Sequence, residues 1–298
     1  MNVTECITAE HLLPHPAHSG LWESIVVDPA IKKRLVNQAA LSFVVRAKLA
    51  FADTALHGLI LLHGPPGTGK TTLAKGLGEQ LVPLVVGGRV RFVQVDPHGL
   101  MSAEHGQSQQ RVMELLSERI PTLADDGMPT LVLIDEVESM TVARSSASLA
   151  ANPADVHRAT DAVLTALDRV AVSHPNVLFV ATSNFTDALD TAFTSRADTA
   201  ILVPLPDADG VHAILHDTLK RFAGAFAGLE AVASSPALKQ VAARLEGKDG
   251  RQVRKFVTDA LAHNRETAVD PGKLTVNGLL AAADGWQGTS KEDGREAA

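Results

Sequence analysis

The chain has 298 residues, 45% of them hydrophobic and 20% charged, with a net charge of −7. That leaves ample apolar material for a core and argues against a nucleic-acid binder, which usually shows a basic stripe. One cysteine, Cys6, excludes an intramolecular disulfide and fits a reducing compartment.

Residues 1–20, with Pro14, Pro16 and three histidines, read as a flexible leader. They lack the basic and apolar regions of a signal peptide. Asp28-Pro29 then opens a helical pattern running to about residue 50, with Asp as cap and Pro as first-turn residue. The pattern predicts strands at 58–63, 90–95, 130–134, 177–182 and 199–204, and helices at 69–81, 104–123 and 154–172 between them. Strands alternating with helices mean βα units and a five-stranded parallel sheet covered by helices on both faces. After Pro204-Leu205-Pro206 the strand signal stops, and 207–222, 235–246, 250–264 and 273–284 are helical in pattern. The expected organisation is a leader (1–20), a large α/β domain (21–206), a small all-α lid domain (207–287) and a polar, disordered tail (288–298). No apolar run approaches the roughly 18 residues that span a bilayer, so the expectation is a soluble, cytoplasmic protein with no membrane partner.

Between the first strand and its helix stands Gly64-Pro65-Pro66-Gly67-Thr68-Gly69-Lys70-Thr71, with Thr72 behind it. The spacing matches G-x-x-x-x-G-K-[ST] in its required strand–loop–helix setting. Glycines let backbone N–H groups wrap phosphate oxygens, and the helix that opens near Gly69 adds its positive end. Lys70 supplies a charge for the β- and γ-phosphates of ATP, and the Thr71 hydroxyl a ligand for Mg²⁺. The third strand runs into Asp135-Glu136. Asp135 is placed to hold Mg²⁺, and Glu136 to polarise the attacking water. Asn184 ends the fourth strand beside those acids and can orient the water. Arg196, before the fifth strand, offers a guanidinium for transition-state charge on a neighbouring subunit's phosphate; its plain alternative is a surface pair with Asp198. Arg251, with Arg254 in reserve, opens a helix of the second domain and is a candidate nucleotide sensor.

Together these motifs resemble the AAA+ superfamily: Walker A at 64–71, Walker B at 131–136, sensor 1 at Asn184, an arginine finger at Arg196 and sensor 2 at Arg251. Particular strings look like the pachytene checkpoint protein 2 family, also called thyroid receptor-interacting protein 13. They are Leu21-Trp22-Glu23-Ser24, Leu62-His63-Gly64-Pro65-Pro66-Gly67, Val132 to Met140 with Ala143-Arg144, Thr182-Ser183-Asn184, and Ala192-Phe193 running into Arg196-Ala197-Asp198. The resemblance implies a hexameric ring that grips the N-terminal tail of HORMA-domain proteins in its pore and unfolds it with ATP. It implies nucleotide in the crevice between core and lid. Because the chain begins almost at the core, it is similar to the compact bacterial members, which act in cyclic-oligonucleotide anti-phage signalling (CBASS). There the ATPase disassembles a complex of a HORMA protein with a cyclic-oligonucleotide synthase. Glu104, His105 and Gly106 fall in the pore-loop segment, with His105 where many translocating relatives have an aromatic residue. The alternative function is an AAA+ ATPase that remodels nucleic-acid-associated complexes.

Overall fold

A computed structural model describes residues 6–101, 108–141 and 154–286. The pore-loop residues Glu104, His105 and Gly106, Ala143-Arg144 and the tail from 288 lie outside the described residues. The chain divides into two units, Met1–Gly64 with Lys70–Val203, and Pro65–Gly69 with Pro204–Ala298.

The first unit is built on a six-stranded sheet. Its strands are β1 (Ile7–Leu13), β2 (Leu59–His63), β3 (Val90–Val95), β4 (Thr130–Ile134), β5 (Val177–Ser183) and β6 (Thr199–Leu202). They lie in the order β1-β3-β4-β5-β2-β6. Strands β2 to β6 are the five parallel strands that the alternation of patterns predicts. The sixth is a correction. Residues 7–13, read from sequence as part of a loose leader, form an antiparallel edge strand on β3, with Leu13 opposite Val90. The physical reason is a period of two in that segment. Ile7, Ala9, His11 and Leu13 turn inward while Thr8, Glu10 and Leu12 stay exposed. Pro14 and Pro16, which suggested a loop, only end the strand.

The parallel strands alternate their side chains between two cores. Leu59, Leu61, Val93, Val95, Val132, Ile134, Phe179 and Ala181 face one side, with Leu115, Leu116, Val163 and Leu167. Ile60, Leu62, Phe92, Leu131, Leu133, Leu178 and Val180 face the other, with Leu35, Leu73 and Leu77. Each Val, Leu, Ile or Phe among them, fully buried, stabilises the fold by about 1.5–3 kcal/mol before entropy is counted. The covering helices are α1 (Pro29–Arg46) and α2 (Lys70–Leu81) on one face, and α4 (Ser108–Glu114) and α5 (Ala154–Ser173) on the other, with short α3 (Pro97–Met101) and α6 (Thr191–Arg196) at the ends of strands. After α4 the helical run continues through a π-turn, Leu115–Arg119, into Ile120–Ala124, where Pro121 brings no N–H to the ladder.

The second unit is helical after Pro204, as the lost strand signal predicts. Its main helices are α7 (Ala208–Ala223), α8 (Leu238–Arg244), α9 (Gly250–Ala262) and α10 (Val276–Asp284). Val211, Leu215, Val241, Val253, Phe256 and Leu279 form its buried stripes. Three of these helices are capped by residues that satisfy their first amides: Asp207, Thr275, and Asp249 in a capping box with Gln252. Among the described residues no helix is long and apolar enough to cross a membrane.

Candidate functional site

The strand order brings three loops together. β5 lies between β2 and β4, so the carboxyl ends of these three strands are neighbours. Gly64 follows β2, Asp135 follows β4 and Asn184 follows β5. In open parallel sheets this edge is where ligands bind.

After β2 the chain turns sharply at Gly64, whose φ is +137°. A Cβ there would stand 2.4 Å from the Val203 carbonyl oxygen, so no side chain fits. Gly67 follows with φ +78°, and the Thr68 hydroxyl donates to the Pro65 carbonyl at 3.0 Å. Helix α2 begins at Lys70, with its amino end at the loop. The Lys70 ammonium is buried and donates to the Gly64 carbonyl at 2.8 Å. Burial holds it below its ordinary 10.5, and the charges of Glu138, Asp135 and Glu136 oppose that shift.

The acids are held from several sides. The hydroxyls of Thr71 and Thr182 donate to the same oxygen of Asp135, at 2.7 and 2.5 Å. Thr182 Oγ1 also accepts the backbone N–H of Glu136 at 3.0 Å. Glu136 has φ +54° and ψ +54°, a left-handed conformation that is uncommon without glycine and throws its side chain outward, where it is exposed. Its Oε1 accepts from Asn184 Nδ2 at 3.3 Å, and its Oε2 lies 3.5 Å from His98 Nε2 on α3. Glu138 accepts the Asn184 backbone N–H at 3.1 Å, and its second oxygen is buried without a hydrogen-bond partner among the described residues. Thr71 and Asp135 offer hard oxygens 2.7 Å apart. Adjacent oxygens on an octahedral Mg²⁺ with ~2.1 Å bonds lie about 3 Å apart, so the pair fits the protein's share of such an ion, phosphates and water supplying the rest.

The structure therefore brings together Lys70, Thr71, Asp135, Glu136 and Asn184. It adds Thr182, Glu138 and His98, which the sequence does not single out. Thr182 and Glu138 stand inside the T-S-N and D-E-x-E strings that carry Asn184 and Glu136. His98 has no local signal; it meets Glu136 only through the sheet.

Arg196 lies elsewhere. It ends α6 just before β6, at the amino edge of the sheet. The plain pairing with Asp198 does not occur. Arg196 makes a two-pronged bond with Asp168 of α5, Nε to Oδ1 at 2.7 Å and Nη2 to Oδ2 at 2.8 Å. Those bonds hold the Asp168 carboxyl below its ordinary 3.8. Asp198 instead accepts the backbone N–H groups of His57, Gly58 and Leu59 at 2.8, 2.9 and 3.2 Å. Burial raises its pKa, against the pull of those amides and of Arg46, itself lowered by burial to about 10. In the second unit Arg251 is exposed at the start of α9, its backbone N–H bonded to the Asp249 cap. Arg254, one turn on, is held below its ordinary value by partial burial and by Arg221, with Asp217 opposing.

The model of the ATPase family associated with various cellular activities (AAA) matches residues 60–205. The chain is 47% identical to CD-NTase-associated protein 6 of Pseudomonas aeruginosa, over 91% of this chain and 88% of that protein. It is 32% identical to the pachytene checkpoint protein 2 homolog of Danio rerio, over 92% of this chain and 68% of that one. Its fold is similar to a chain in the structure of the E. coli MS115-1 HORMA:CdnC:Trip13 complex, with a TM-score of 0.74, 18% identity, and coverage of 96% of this chain and 97% of that chain. The chain thus belongs to the nucleotide-binding AAA ATPases, in the group that includes CD-NTase-associated protein 6 and the pachytene checkpoint protein 2 homologues.

Proposed function

We propose that the carboxyl edge of the sheet hydrolyses ATP with Mg²⁺, and that the chain uses this to engage and partly unfold a HORMA-domain protein. The observation that carries the reading is the joining of Thr71, Asp135 and Thr182 at one oxygen, with Glu136 and Asn184 bonded beside it. The backbone N–H groups from Gly67 to Thr72 would wrap the triphosphate, with Lys70 on its outer phosphates. Thr71 and Asp135 would hold Mg²⁺, which when bound neutralises phosphate charge. Glu136 would take a proton from the attacking water, and Asn184 would fix the direction of that carboxylate. Arg251, with Arg254 behind it, would report the nucleotide to the helical unit.

Arg196 would serve a second copy. β2 is five residues long, and at ~3.3 Å per residue it separates the two edges of the sheet by roughly 17 Å. A guanidinium at the amino edge does not reach phosphates at the carboxyl edge of its own chain. A closed ring, of six copies in this reading, delivers it to a neighbour.

The partner follows from the relatives. The curated protein 47% identical to this chain is named for association with a CD-NTase, and the complex that holds the fold neighbour pairs HORMA, CdnC and Trip13. We infer a HORMA-domain protein, bound to a cyclic-oligonucleotide synthase, as the substrate, and its disassembly as the restraint on anti-phage signalling. The cytoplasm, which supplies ATP, is the working compartment. The test is ATP turnover by the purified chain with HORMA-domain protein added, with and without that protein's N-terminal tail. Several-fold stimulation that needs the tail supports the reading, and equal turnover with and without HORMA protein contradicts it.

A further inference from the structure

We propose that Asp168 is the positioning residue for Arg196: the carboxylate grips one side of the guanidinium so that the opposite edge faces the phosphates of a neighbouring copy. This rests on the reading of Arg196 as acting across a subunit boundary.

A guanidinium has five N–H donors in a fixed plane. Among the described residues three are engaged. Nε–H and one N–H of Nη2 reach the two oxygens of Asp168 at 2.7 and 2.8 Å, and one N–H of Nη1 reaches the Ala192 carbonyl at 2.8 Å. What remains is one N–H on each terminal nitrogen. That is the set from which an end-on fork to two phosphate oxygens is built. An arginine merely paired at the surface would not need its side edge and its helix-side nitrogen both fixed. Among the described residues these bonds leave the anion-binding edge as the part without a partner.

Asp168 is itself fixed. His57 Nε2 lies 3.2 Å from its Oδ1, and the His57 ring stands edge-on to Phe51, with centroids 4.9 Å apart. The His57 backbone N–H is bonded to Asp198, so the R-A-D string is tied to the same residue from both ends. Helix α6 is held at its other end by Asp190, which is buried and accepts the Ala192 N–H at 2.8 Å. The finger therefore stands on a short helix fixed at both ends. Without the carboxylate a long, rotamer-rich side chain would have to be ordered at each turnover, and a misplacement of about 1 Å can cost on the order of 10²-fold in rate.

The experiment compares Asp168→Asn and Asp168→Ala with Arg196→Ala in the full chain, each checked for the wild-type circular dichroism spectrum and melting profile. We expect both Asp168 variants to lose roughly 10- to 100-fold in kcat with the ATP KM within about twofold of wild type, and Asp168→Glu to recover part of the loss. Mixing Asp168→Ala with Lys70→Ala should restore turnover, because the intact Arg196 of the Lys70→Ala copies then faces an intact nucleotide site. Mixing it with Arg196→Ala should restore none. Turnover by Asp168→Asn within twofold of wild type, while Arg196→Ala is inactive, overturns the proposal and leaves the trans reading of Arg196 standing. Loss in Asp168→Ala that the Lys70→Ala chain does not restore, although that chain restores Arg196→Ala, also overturns it. Full turnover by Arg196→Ala overturns both.

Discussion

Asn184 donates its side-chain amide to Oε1 of Glu136 across 3.3 Å. The two residues expected to manage the attacking water are thus one hydrogen-bonded pair. Glu136→Gln should keep ATP binding and lose roughly 10²- to 10⁴-fold in turnover, the range of a missing general base. Asn184→Ala should lose less, and the double variant should lose little more than Glu136→Gln alone, because neighbours that act as a unit are not additive. Single-turnover hydrolysis with parallel nucleotide-binding titrations checks this, and fully additive losses would separate the two residues.

The left-handed backbone at Glu136 predicts a trade between stability and activity. A non-glycine residue at φ +54° carries strain of about 1 kcal/mol that glycine does not. Glu136→Gly should therefore unfold at a higher temperature than Glu136→Ala while neither turns over ATP. A lower Tm for the glycine variant would show that the backbone there is not strained.

The Thr182 hydroxyl connects Asp135 to the Glu136 amide and is buried. Thr182→Val keeps the shape and removes both bonds. Two polar groups losing a partner should cost about 1–3 kcal/mol in chemical denaturation, and the ATPase should need more Mg²⁺ for half-maximal rate. An unchanged Mg²⁺ requirement would mean that Asp135 does not depend on Thr182 for its orientation.

Much of this site is legible in the sequence because its parts are local strings. The 64–71 run encodes its own turn, since only glycine takes the conformation and the close approach to Val203 found at Gly64. Asp135 and Asn184 can be placed because each ends an apolar run, and parallel strands put such ends on one edge. What the sequence hides is pairing at a distance. His98 meets Glu136, and Asp168 meets Arg196 in place of the nearer Asp198; neither pair shares a string, and only the packing of α3 against the turn after β4 and the approach of α5 to Arg196 create them. The edge strand β1 is hidden differently. Its alternation is present in ITAEHLL, but the prolines just after it give the stronger local signal.

That edge also predicts a pH dependence. The rings of His11 and His15 stack 4.2 Å apart, and His11 Nδ1 lies 3.0 Å from His18 Nε2. The His18 Nδ1 side bonds to the Lys75 carbonyl, and Glu79 accepts the His15 backbone N–H. Burial, then the charges of His15, His18 and Lys75, hold His11 below its ordinary 6.5. With a lower pKa in the folded state, the unfolded chain takes up the proton first as pH falls. The stability from this contact is complete above about pH 6.5 and is lost as pH falls through the folded value of His11. Denaturant midpoints measured down the pH scale should fall more steeply for the wild type than for His11→Gln, and equal slopes would remove His11 as the source.

The most direct test of the central claim is the fate of a HORMA-domain protein bound to its cyclic-oligonucleotide synthase, followed by size-exclusion chromatography after incubation with this chain, ATP and Mg²⁺. Wild-type chain should release free synthase, and Glu136→Gln should bind the complex and leave it whole. Intact complex after many ATP turnovers by the wild-type chain would contradict the claim.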